Sequence, residues 1–241
     1  MKKIFLTLTM LTFALMASSQ QIYNIKTSDK ADGLFEQFYG NIKVTGEVLD
    51  GKKTATWMEN FPNTEIPRYI IQYLDGKKNG LFLEFDKEGC IIKKSNYKND
   101  KIDGSYCEWA KMGRLTKKQE YKDGQLDGCT VLYYDNGYIQ EESVYVQGMR
   151  NGVTIWYSYA ERQQGPKYVS YTYNNGVIEG LQETYYENGR VKTQKMFSNN
   201  VANGSAVEYY EDGSIKSECT YKNGEVKGKV KEYEIGKKFL E

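Results

Sequence analysis

The chain has 241 residues, of which 39% are hydrophobic and 14% aromatic, with 22 tyrosines and three prolines. Lysine and arginine number 33 against 32 acidic residues, so the basic excess of a nucleic-acid binder is missing and no nucleic-acid partner is expected. There is no histidine, which removes histidine acid–base catalysis, Ser–His and Cys–His nucleophile pairs, and the commonest metal ligand.

The first predicted element is a leader over residues 1–19. Lys2 and Lys3 form its charged start, Ile4 to Met16 its apolar run, and Ala17-Ser18-Ser19 the small residues that place cleavage before Gln20. The run is about 13 residues, too short for a spanning helix. No cysteine stands at the cleavage point, so no lipid anchor is expected there. Loss of Lys2 and Lys3 leaves 31 basic against 32 acidic residues, a net charge of −1. The expected location is outside the cytoplasm, periplasmic or extracellular.

Residues 20–32 read as a linker. A degenerate repeat region follows over 33–72, in which Gly33-Leu34-Phe35 and Val48-Leu49-Asp50-Gly51 resemble pieces of the later units. Ala55 replaces a glycine there, and Pro62 and Pro67 loosen the pattern. Regular units then begin at Tyr73, Tyr97, Tyr121, Tyr145, Tyr173, Phe197 and Tyr221, at intervals of 24 residues with one of 28. A fixed period of this length marks a repeat array, which presents extended surfaces to partners.

Counting each key aromatic as offset 0, offset 7 is glycine throughout, from Gly80 to Gly228. Offset 3 is glycine in five units and Asp100 or Asn200 in the other two, and offset 16 is glycine in five, with Gly165 in that role in the long unit. Between the glycines, residues alternate. Leu81, Leu83 and Phe85 hold offsets 8, 10 and 12, and offset 12 is aromatic every time. Alternation at period two predicts half-buried strands with offsets 8, 10 and 12 inward. Asp75-Gly76 and Asp135-Asn136-Gly137 predict the turns between them. The expected fold is all-β: an elongated, single, meandering antiparallel sheet of tandem β-hairpins over 33–241. Tyrosine and glycine suit such a thin sheet, because a phenol offers an apolar ring and a polar tip. At the far end Lys229 and Lys231 occupy inward offsets, which reads as a cap.

The Tyr-x-x-Gly-x-x-x-Gly pattern, continued by an Asn-Gly or Asp-Gly turn, resembles the MORN repeat. The 24-residue spacing and the Tyr-Tyr-x-Asn-Gly phrase are similar to the bacterial variant found in proteins labelled YwqK-like antitoxins. The third, fifth and sixth units match best. The resemblance implies an elongated hairpin scaffold for interactions and implies no reaction.

Candidate interaction residues are the offset-12 rings Tyr157, Tyr185 and Tyr209, which either pack as a ladder or line a groove, and Tyr159 and Arg162 in the insertion of the long unit. The Lys93-Lys94 and Lys117-Lys118 pairs suggest a basic strip beside Glu141-Glu142. Neighbouring carboxylates such as Glu141 and Glu142 point to opposite faces of a strand and make no catalytic pair. Cys107 and Cys129 are expected inward on strands separated by a third. That places them about 10 Å apart, beyond disulfide reach, and all four cysteines are expected unbridged. The expected activity is therefore non-catalytic, without cofactor or metal. An unidentified protein is the expected partner, with a peptide or glycan as further classes. Toxin neutralisation and peripheral lipid binding at a membrane surface are the alternatives.

Overall fold

The structure, a computed structural model, describes residues 21–235; the leader and its cleavage point lie outside the described residues. The degenerate region supplies β1 (Gly33–Tyr39), β2 (Ile42–Leu49), β3 (Lys52–Asn60) and β4 (Pro67–Leu74). The regular units supply β5 (Lys77–Phe85), β6 (Ile91–Lys98), β7 (Lys101–Trp109), β8 (Leu115–Lys122), β9 (Gln125–Tyr133) and β10 (Ile139–Val146). The long unit gives β11 (Met149–Arg150), β12 (Gly152–Tyr157) and β13 (Lys167–Asn174). The array ends with β14 (Val177–Tyr185), β15 (Val191–Ser198), β16 (Val201–Tyr209), β17 (Ile215–Lys222) and β18 (Glu225–Glu232). All belong to one open antiparallel sheet in which each strand pairs with the next in sequence. β11 and β12 both pair with β10 and are one strand interrupted at Asn151.

Two kinds of turn alternate along the edges. In the regular units the two-residue turns carry positive φ at both central positions, as at Asp75 (50°) and Gly76 (79°). This mirror-image turn matches the twist of the strands it joins. Asn199 (49°) and Asn200 (65°) adopt it without glycine, since short polar side chains tolerate the left-handed region. Each such turn also bonds to the preceding unit: Gly124 N–H donates to Ile102 O at 2.8 Å, and Gly176 N–H to Arg150 O at 2.8 Å. On the opposite edge, Tyr134 N–H donates to Tyr138 O at 2.8 Å and Gly137 N–H to Tyr134 O at 2.9 Å. Gly165 departs from this pattern. It lacks the positive φ of the other offset-16 glycines, and a side chain there would overlap the Ser158 carbonyl.

The offset-7 glycines explain the 24-residue beat. Gly80, Gly104, Gly128, Gly180 and Gly204 lie directly opposite Tyr97, Tyr121, Tyr145, Phe197 and Tyr221. Each unit's aromatic therefore sits across from the preceding unit's glycine, where no side chain competes for space. These glycines hold φ between 101° and 121° at bulges in the strand.

The inward face differs from expectation. The most buried repeat positions are offset 9 and its cross-strand partners, including Phe82, Thr130, Thr154, Gln182 and Ala206, whereas Cys129 at offset 8 is exposed and Cys107 half-buried. Alternation separates two faces but cannot say which is covered. In a single layer, cover comes from side chains on the same face, and here the key aromatics supply it: the Phe82 and Tyr97 rings lie 5.8 Å apart and those of Tyr106 and Tyr121 5.7 Å apart. The four cysteines are free, with β8 lying between the strands of Cys107 and Cys129. Lys229 and Lys231 are exposed, as is every residue of β18.

The densest packing is at the N-terminal end, where Ile22, Ile25, Phe35, Val44, Val48, Trp57, Tyr69, Ile71, Tyr73 and Phe82 form one cluster. Part of it comes from the stretch read as a linker. A single helical turn, α1 (Gln21–Asn24), lays Ile22 and Ile25 over the Trp57 face. The Ile22 peptide group is held at both ends: its N–H donates to Glu59 Oε2 at 2.8 Å, and its carbonyl accepts from the Lys53 ammonium. Gly46 lies against the Trp57 indole, and any side chain there would overlap the ring.

Candidate interaction surface

Tyr157, Tyr185 and Tyr209 end β12, β14 and β16, and β13 and β15 lie between them. The register aligns them along one edge of the sheet, and each phenol has a partner. Tyr157 Oη donates to Glu142 Oε2 at 2.6 Å and Tyr209 Oη to Gln194 Oε1 at 2.8 Å. Tyr185 Oη donates to Glu183 Oε2 at 2.7 Å and lies 3.2 Å from Ser170 Oγ. Tyr233 repeats the arrangement on Glu218 at 2.8 Å. Glu142, Ser170, Gln194 and Glu218 all stand three residues before a key aromatic. Burial first, then the Glu142 carboxylate, pushes the Tyr157 phenol well above its usual range, so it stays protonated and donates. The ring-to-ring contacts of the described residues lie elsewhere, among the degenerate-region rings, the offset-0 and offset-9 rings, Trp156 with Tyr171, and Tyr134 with Tyr159, so the offset-12 row is a polar–aromatic band held by hydrogen bonds.

A second set of tyrosines, at offset 13, ties neighbouring units together. Tyr134, Tyr186 and Tyr210 each donate the phenol to the backbone carbonyl of the next unit's offset-12 residue: Tyr157 at 2.6 Å, Tyr209 at 2.7 Å and Tyr233 at 2.9 Å. These are the third, fifth and sixth units, where the doubled tyrosine occurs. The doubling was legible in sequence, but its bonding role was not.

The insertion is fastened to the turn before it. Asn136 Nδ2 donates to Ala160 O at 2.7 Å and Tyr138 Oη to Arg162 O at 2.9 Å. Gln164 accepts from Ile139 N–H at 2.8 Å and donates to Ile139 O at 2.9 Å, copying one rung of a sheet. The Tyr159 ring stands edge-on to Tyr134 at 5.2 Å and is 52% exposed, and the Arg162 side chain is exposed. The structure thus leaves Tyr159 and Arg162 exposed on the docked loop that follows Tyr157, and carries Tyr185 and Tyr209 along the same rim. Tyr134 and Tyr138, which help build this arrangement, were absent from the sequence-based candidates, and Gln164 stood there only as the last residue of the insertion.

The lysine pairs divide between faces. Lys93 and Lys117 are paired with Glu84 at 3.1 Å and Glu108 at 3.2 Å. Lys94 and Lys118 flank Cys107 on the other face, in a cross-strand row that continues through Val131 to Glu142. Each face therefore carries half of the expected strip. In the long unit, Arg150 bonds Glu141 Oε1 at 2.6 Å and Tyr145 Oη at 2.9 Å, and lies 5.2 Å from the Trp156 ring. Trp156 Nε1 donates to the same carboxylate at 2.8 Å, so the cluster satisfies itself.

No curated protein matches the chain. A family model described as the MORN repeat variant matches residues 178–199 and 202–223, the β14–β15 and β16–β17 hairpins that carry Tyr185 and Tyr209.

Proposed function

We propose that this chain is an exported, non-catalytic scaffold that holds another protein along its tyrosine-bearing rim, with the docked insertion as the projecting contact. The observation that carries the reading is the alignment of Tyr157, Tyr185 and Tyr209 on one edge, with Tyr159 and Arg162 raised beside them on a loop fixed by Gln164. Tyrosine and arginine supply large, amphipathic contact area at low conformational cost and are enriched at protein interfaces. Export is supported by the charged, apolar and small-residue order of the leader, and the location proposed is periplasmic or extracellular. A peptide or glycan chain laid over the same rings is a narrower form of the same reading.

The test replaces Tyr159 and Arg162 together with alanine. Arg162 docks the loop through its backbone carbonyl alone and the Tyr159 side chain only through its edge-on contact with Tyr134, so melting should fall by no more than the loss of that one ring contact, about 1 kcal/mol. Recovery of the bound protein from the native envelope fraction should fall at least about ten-fold, the loss expected for a central aromatic–arginine pair. Equal recovery by the double variant overturns the assignment of this rim.

A further inference from the structure

The sheet is open, and its first strand is bonded on one side only. β1 pairs with β2 in an unbroken register from Gly33 opposite Val48 to Tyr39 opposite Ile42, and no other strand of the described residues pairs with it. We propose that β1 is a self-association edge, on which two copies of this chain pair β1 to β1, antiparallel, about a two-fold axis normal to the sheet.

The geometry starts at the hairpin. Tyr39 and Ile42 flank the two-residue turn Gly40-Asn41, and a pair in that position exchanges both of its hydrogen bonds. Alternation along the strand then leaves the N–H and C=O of Leu34, Glu36 and Phe38 directed at the open edge. Phe35 is buried in the Trp57 cluster, so the side chains of these three residues stand on the opposite face, where Leu34 is 94% and Phe38 59% exposed. One antiparallel register pairs all the outward groups at once. It sets Leu34 opposite the partner's Phe38, Phe38 opposite the partner's Leu34, and Glu36 opposite the partner's Glu36. The two apolar pairs are cross-strand contacts of the kind that stabilises sheets. Each Glu36 keeps a cation of its own, since Lys43 lies 3.6 Å from its carboxylate.

The occupant is a second copy because β1 lacks what keeps an edge single. An exposed edge meets copies of itself, and edges that stay unpaired are guarded by lysine, proline or a bulge. β1 has none of these, and its seven residues hold one charge, Glu36. β18, by contrast, carries Lys227, Lys229 and Lys231, and its register with β17 shifts between Glu218 and Thr220. Strand direction then decides which edges meet. β11 and β12 form one strand, so the number of strands is odd and β1 and β18 run the same way. A copy added in the same orientation would bring β18 to β1 as a parallel neighbour, whereas the two-fold continues the antiparallel alternation and closes the assembly at a dimer. Such a dimer carries two tyrosine rims and is a bivalent scaffold.

The test follows the full mature chain by sedimentation velocity across a concentration series. A dimer that dissociates in the micromolar range is expected, because a seven-residue strand pair is a small interface. Amide hydrogen exchange over residues 33–39 should slow as the dimer fills, and exchange in β18 should not change. Leu34→Glu, at a side chain almost fully exposed, should weaken the dimer at least about ten-fold, and Val230→Glu on β18 should leave it intact. The register is read separately, in a chain whose four native cysteines are replaced by serine. Paired residues of this kind lie about 5.5 Å apart between Cα atoms, so Glu36→Cys should join two copies through a short bis-maleimide, and Asp32→Cys, four positions along the strand, should not. A monomer at every concentration overturns the proposal. So does a dimer that survives Leu34→Glu or is lost with Val230→Glu, and so does equal cross-linking from positions 32 and 36. Slowed exchange over 33–39 that needs an added protein, in a chain that stays monomeric, would give the edge to a foreign strand instead.

Discussion

Two glycines of one offset separate backbone strain from crowding at the residue scale. Gly180 and Gly204 hold φ of 106° and 120°, so alanine is strained at both, by about 1–3 kcal/mol. A methyl on Gly180 would sit 3.5 Å from Thr172 Cβ, an ordinary contact, whereas on Gly204 it would come within 2.9 Å of Met196 Cβ. Gly204→Ala should therefore lower the denaturation midpoint more than Gly180→Ala, measured by urea titration of the two variants side by side. Their equivalence would mean that backbone conformation alone sets the requirement. Gly46 is a third case, with an ordinary φ and no place in the 24-residue beat. Its constraint is the Trp57 indole, fully buried and held by bonds from Nε1 to Glu47 O and Thr54 O, both at 3.1 Å. The offset-7 glycines were legible because they recur; Gly46 was not, because what forbids a side chain there is a ring on the neighbouring strand that no spacing announces.

Elements are fastened by few bonds, and those bonds give separable outcomes. Tyr186→Phe removes only the donor that reaches Tyr209 O and keeps the ring, so the link between two successive units should weaken by about 1 kcal/mol. Hydrogen exchange should quicken at the turns of those units and stay unchanged in β3 and β4. The N-terminal segment is held differently, by a clamp whose stability depends on pH. Lys53 is pulled down to about 8 in the folded chain, against the ordinary 10.5 of the unfolded one, so the unfolded state binds more protons between those values. The folded state of this end should gain stability as pH rises from 8 toward 9.5. Glu59 is pushed the opposite way by burial, and its own window lies in acid, above the ordinary carboxylate value. The buried phenol of Tyr73 is also raised and stays protonated over the alkaline window. The melting midpoint reported by Trp57 should climb from pH 8 to 9.5, and Lys53→Met should flatten the climb. Polarity hid this segment from a sequence reading. Ile22 and Ile25 are the only apolar pair in a stretch of polar residues, and their partners Val48 and Trp57 lie in a degenerate repeat.

For the whole molecule, the strand order followed from periodicity because every pairing is to the next strand, and the turn chemistry at Asp75-Gly76 or Asn223-Gly224 fixes register locally. The location of the packed cluster did not follow, since it depends on which unit an extra segment covers. That asymmetry has a consequence for cooperativity. A serial sheet in which each strand touches only its neighbours has no shared interior, and its stability is a sum over units and their interfaces. Here one end adds a compact cluster around Trp57, the middle carries the half-buried Trp109 and Trp156, and the far end finishes in the fully exposed β18. Unfolding should begin at the β18 end and reach Trp57 last. The chain supplies its own reporters, because its three tryptophans fall at residues 57, 109 and 156. Variants retaining one tryptophan each, with the others replaced by phenylalanine, should lose native fluorescence at different urea concentrations, Trp156 before Trp57, and the fitted slopes should be smaller than a single two-state unfolding of the whole sheet requires. Removing β18 and the residues after it should leave the Trp57 transition where it was. Coincident midpoints for all three reporters would instead require coupling across the entire sheet, which nearest-neighbour strand contacts do not provide.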